Sequence, residues 1–136
     1  MAIKPISDIR IWQDPKGYIQ YSAKKGSQAE LVANWLTSDI QGSGMSFIIL
    51  LDAIERRRSG LADRPYEASG NAWEALITKD RVEIENKYTN HLKGTVPLDI
   101  VLGVLLAYGD ALGESSITAG KADFVRHEHR EPQLPW

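Results

Sequence analysis

Glu74, Glu83 and Glu85 are the residues of this chain whose spacing could do chemistry together. They stand in two alternating runs, Trp73-Glu-Ala-Leu-Ile77 and Val82-Glu-Ile-Glu85, around the short polar turn Thr78-Lys-Asp-Arg81. Alternation of this kind, rich in β-branched and aromatic residues, predicts a half-buried hairpin. If Ile77 pairs with Val82, then Leu76 opposes Glu83 and Glu74 opposes Glu85. Two carboxylates directly opposite on one face repel, at a cost of roughly 0.2–1 kcal/mol. Such a pair could serve hydrolysis, but nothing around it marks a pocket or a substrate-positioning residue. The other use is recognition: with Asp80 at the turn, the carboxylates could mimic phosphate toward a basic protein. The plainer alternative is a solvated strand face relieved by Lys79 and Lys87.

The remaining polar clusters are weaker. His127-Glu-His129 with Asp123 nearby matches no zinc spacing and reads as a solvated segment between Arg126 and Arg130. His91 has no nucleophile beside it. Arg56-Arg-Arg58 could hold an anion, but cations in a last helical turn are what the helix dipole favours. Gly42-Ser-Gly-Met-Ser46 lacks the lysine and spacing of a phosphate loop and reads as an inter-helix turn. There is no Gly-x-Ser-x-Gly elbow. The absence of cysteine excludes disulfides, thiolate catalysis and cysteine zinc sites. These observations predict no catalytic residues, no metal and no cofactor.

The elements that must position the carboxylates follow from periodicity. Ile9-Arg-Ile-Trp-Gln13 and Tyr18-Ile-Gln-Tyr21 flank the turn Asp14-Pro-Lys-Gly17 and predict a first hairpin. Ser27 and Glu30 form a capping-box signature before the stripe Leu31, Val32, Trp35 and Leu36, so a helix is predicted over 28–41. A second, over 45–58, carries Phe47, Ile48, Leu51 and Ile54 and stops at Gly60. Residues 90–94 read as a polar loop. Thr95 as a cap and Pro97 in the first turn predict a third helix over 97–111, with Leu98, Val101, Leu102 and Leu105 as its stripe. Tyr66-Glu-Ala68 extends the start of the central hairpin. Residues 114–136 are poorly periodic and read as an irregular tail, with a short extra element as the alternative. Trp12, Trp35 and Trp73 suit core positions, whereas Trp136 is terminal and either disordered or docked. The predicted fold is α+β: an antiparallel sheet built from two hairpins, packed against about three helices, in a single domain spanning 1–136.

A length of 136 residues suits one domain with an ordinary core. A net charge of −2 and a pI near 5.9 give no basic footprint for direct nucleic-acid binding. Lys4 is not followed by an apolar stretch, so no signal peptide is read, and Phe47-Ile-Ile-Leu-Leu51 is too short to span a bilayer. The expectation is a soluble, cytoplasmic protein that needs no membrane.

Ser69-Gly-Asn-Ala-Trp73, Ile84-Glu-Asn86 and Val96-Pro-Leu-Asp99, with the order ββ–αα–ββ–α, resemble YacL-like proteins and small bacterial (CdiI-type) immunity proteins paired with contact-dependent growth-inhibition toxins. The resemblance covers roughly residues 15–112. It implies a non-enzymatic cytoplasmic protein that binds and neutralises a cognate toxin domain, often a nuclease, with Glu74, Asp80, Glu83 and Glu85 as the toxin-binding candidates. The alternative is a housekeeping YacL-like binding module without a toxin partner. Fold transfers through such a resemblance better than function does.

Overall fold

The computed structural model describes residues 8–136; residues 1–7, on which the expectation of no signal peptide rests, lie outside them. The chain runs β1 (Ile9–Gln13), β2 (Ile19–Ala23), α1 (Gln28–Ile40), α2 (Gly44–Arg58), β3 (Tyr66–Ser69), β4 (Trp73–Ile77), β5 (Arg81–Asn86), β6 (Lys93–Pro97), α3 (Leu98–Leu112) and α4 (Glu114–Glu128). The α+β class is as expected, but the two hairpins do not share a sheet. β1 and β2 form a two-stranded ribbon, while β3-β4-β5-β6 is a separate antiparallel meander.

The register of the central hairpin follows its apolar alternation. Trp73, Ala75, Ile77, Val82 and Ile84 are all buried, and a slip of one residue would turn them to water. Ile77 pairs with Val82, Leu76 with Glu83 and Glu74 with Glu85, as the alternation predicts. β6 adds Val96 to the buried face at the far edge.

The helices begin and end on local signals. Ser27 Oγ accepts from Glu30 N–H (3.1 Å), and Glu30 Oε1 accepts from Gly26 N–H (3.0 Å). Ser43 Oγ accepts from Ser46 N–H (3.1 Å) and caps α2. Gln41 and Gly42 are left-handed between the two helices, and Gly42 N–H donates to the Tyr108 hydroxyl of α3 (2.8 Å). Thr95 does not cap α3: it lies in β6, and Pro97 precedes the helix directly. α3 is the central core element, with Val101, Leu102, Val104, Leu105 and Tyr108 fully buried. Phe47 stacks near Tyr108 and presses on Gly109, where a Cβ would lie only 2.5 Å from its ring.

Two expectations are corrected here. Residues 114–128 form a full helix, α4, rather than an irregular tail. Its contact with α2 is made by glycines: a Cβ on Gly120 would overlap the Gly44 backbone, and one on Gly44 would overlap Ser116. Only Gly120 and Phe124 of α4 are buried, so no apolar stripe announces it. The segment after it is also held. Arg130 grips buried Asp52 through two bonds (3.0 and 2.9 Å), and Gln133 N–H donates to the same carboxylate (2.8 Å). Trp136, beyond these anchors, is 67% exposed. The second correction is Trp12. Ile9, Ile11, Ile19 and Tyr21 face the core, so strand parity turns Trp12 outward, where Arg10 stacks on its ring at 4.7 Å.

Among the described residues no single helix is long and apolar enough to cross a membrane.

Candidate binding surface

Among the described residues the meander has one face buried against the helices and one left uncovered. Its outer face carries two cross-strand rows: Glu67, Leu76, Glu83 and Thr95 in one, Ser69, Glu74, Glu85 and Lys93 in the other. These residues line an open depression of about 810 Å3. Strand alternation forces the gathering, because each Glu is one residue from a core residue. Glu74, Glu83 and Glu85 are thus brought onto one face as expected. Asp80 sits at the turn, also as expected, where its Oδ1 accepts from the Thr78 hydroxyl (3.1 Å) and lies 3.5 Å from Arg81. Glu67 takes the fourth acidic position, which the sequence reading missed. Its signal was the alternation of Tyr66-Glu-Ala-Ser69, readable once that stretch is given a strand of its own.

Four carboxylates therefore share this depression with one lysine, Lys93. Lys93 stands opposite Glu85. Lys87 does not relieve the pair, since its Nζ donates to Gly70 C=O (2.7 Å) beyond the strand end. The excess of carboxylates over cations makes this face acidic.

The other clusters resolve into structural roles. Arg57 donates to Ala53 C=O and Arg64 C=O and stacks on Tyr66 at 5.2 Å. Arg58 pairs with Glu55 at 2.8 Å. With Lys79, Arg81, Asp63 and Asp80 they border a mixed-charge hollow at the opposite end from Lys93. His127 and His129 are exposed at the end of α4, and His129 is its left-handed cap. Among the described residues no group of three His, Cys, Asp or Glu side chains is placed to hold a metal.

One carboxylate stands apart. Asp39, near the end of α1, meets the β3–β4 turn so closely that a Cβ on Gly70 would overlap it. Burial pushes its pKa up; the Ala72 N–H, the Lys87 charge and the Trp35 side chain offset this only in part. Its Oδ1 is buried without a hydrogen-bond partner. The sequence reading did not single it out, because it looks like a polar residue on an ordinary helix face.

Comparison with family models, with curated proteins and with solved structures finds no match.

Proposed function

We propose that this chain is an immunity protein, a stoichiometric inhibitor that binds one cognate bacterial toxin domain and does no chemistry itself. The carrying observation is the outer sheet face, where Glu67, Glu74, Glu83 and Glu85 share one depression with a single lysine, Lys93, which stands opposite Glu85. A like-charged pair such as Glu74 and Glu85 opposes folding slightly. It is the arrangement expected where a cationic partner supplies the compensation. The substrate groove of a nuclease binds phosphates, so it is cationic, and a carboxylate array fits it as a phosphate mimic. The short motifs around Ser69-Gly-Asn71 and Ile84-Glu-Asn86 support the same reading, with a contact-dependent growth-inhibition nuclease as the partner.

The test pairs the chain with the product of the reading frame immediately upstream. Co-expression and pull-down should recover a complex, and the chain should protect cells from that product. The triple change Glu74→Gln, Glu83→Gln, Glu85→Gln should leave the fold intact and abolish protection. Charge steering of this kind slows with salt, so association should weaken as ionic strength rises. Protection by the triple variant equal to wild type, at low and high salt alike, removes this face as the interface. Failure to find any toxin among neighbouring genes favours a YacL-like binding module instead.

A further inference from the structure

The meander has a second feature that the acidic face does not use. Among the described residues β3 is an edge strand, paired only with β4. Gly70 N–H donates to Trp73 C=O (2.9 Å). Strand alternation then turns the backbone groups of Glu67 and Ser69 toward the free edge. Beside that edge, between β3 and the helices α1 and α2, lies a groove of about 250 Å3. Its apolar wall is Trp35, Ile40, Ile49 and Leu50. Asp39 also lines it, with the buried Oδ1 that lacks a donor.

We propose that the β3 edge and its groove take an extended cationic segment of a protein partner, which adds to the sheet as a further strand and sets a lysine or arginine against Asp39. Three observations choose this occupant. The groove is smaller than the roughly 300–1,000 Å3 of small-molecule sites, so it suits one or two side chains. The free backbone groups at Glu67 and Ser69 ask for a strand, since only extended backbone matches their spacing. The charge asks for a cation: Asp39 and Glu67 flank the edge on its two sides, Lys87 acts on Asp39, and Lys93 stands at the far strand opposite Glu85. A second copy of this chain pairing edge to edge would instead bring like carboxylates together. Side chains of an added strand alternate between faces. One set would enter the groove and the other would continue over the acidic face. The inference goes beyond the immunity reading, because it names an edge and a carboxylate outside that face and holds for any partner with such a segment.

The probe is a capped heptapeptide, Lys-Val-Lys-Lys-Lys-Val-Lys, beside the same peptide N-methylated at its three central residues. The methylated form keeps the charge but loses the donors that strand pairing needs. Titration of the full chain, followed by amide NMR, should shift the Glu67 and Ser69 signals and protect them from exchange. The methylated peptide should do neither. Asp39→Asn should weaken binding about tenfold or more, the loss expected for a charge-assisted contact. If that variant folds poorly, Ile49→Lys gives the same test by placing a cation in the groove, and binding should vanish. The triple Gln variant of the outer face should still show protection at Glu67 and Ser69, so failure of either reading is seen separately. The proposal is overturned by no binding at millimolar peptide, by equal binding of both peptides, or by shifts confined to Glu74, Glu83 and Glu85.

Discussion

Asp39 shows how one side chain can oppose the fold that holds it. Burial raises its pKa above the ordinary 3.8, so the folded chain holds that proton more tightly than the unfolded chain does. A carboxyl of this kind adds stability below its unfolded pKa and loses it as pH rises through the folded one. Lys87, Ala72 N–H and Trp35 reduce the penalty without cancelling it. Asp39→Asn should therefore raise the melting temperature at about pH 7, with the gain closing toward about pH 3, where the wild-type carboxyl is protonated too. Melting curves at the two pH values check this, and an equal difference at both would show that ionisation is not the cause. The sequence could not mark Asp39, because what buries it is the turn at Gly70, which arrives from a different element. Glu74 and Glu85 were legible for the opposite reason: their juxtaposition is local, set by one tight turn and one apolar alternation. Asp80 sits at their turn, as expected, and not on their face.

At the scale of elements, α4 is held to α2 by the absence of side chains. Gly120 lies against the Gly44 backbone, which cannot move aside as a flexible side chain could. Gly120→Ala would favour the isolated helix by about 1 kcal/mol. The overlap should outweigh that gain, for a net loss of about 1–3 kcal/mol. Urea denaturation measures it, and an unchanged midpoint would mean that the two helices separate at little cost. The same packing explains what periodicity could and could not reveal. α1, α2 and α3 carry apolar stripes and were located to within a residue or so at each end. α4 buries only Gly120 and Phe124, so its pattern looked like a tail. β6 was missed because Lys93-Gly-Thr-Val-Pro97 holds two residues that strands disfavour, tolerated here at an edge. Trp12 was misplaced by its size, although the parity of Ile9 and Ile11 already put it on the opposite face.

Across the whole molecule, the helices and the buried sheet face share one core, and the other side of the meander is left to its charges. Glu74 and Glu85 face each other directly, with Glu83 and Glu67 in the neighbouring row. Folding brings these carboxylates together, so their repulsion is present in the native state and weaker in the unfolded chain. The triple change to Gln at 74, 83 and 85 should then stabilise the protein by about 0.5–1 kcal/mol at low ionic strength. Exposed charges are screened over about 10 Å at 0.1 M salt. Added salt should accordingly stabilise the wild type more than the variant, and the two curves should converge. Denaturation at several salt concentrations reads the effect directly. The sign is what matters for function: the same substitutions should strengthen the fold and abolish association with a cationic partner. Surface charges that weaken folding while serving binding are the trade expected of a recognition face. A variant less stable than wild type at low salt would instead mean that the carboxylates are compensated within the chain, by Lys93 and its neighbours, and the face would lose its claim to a partner.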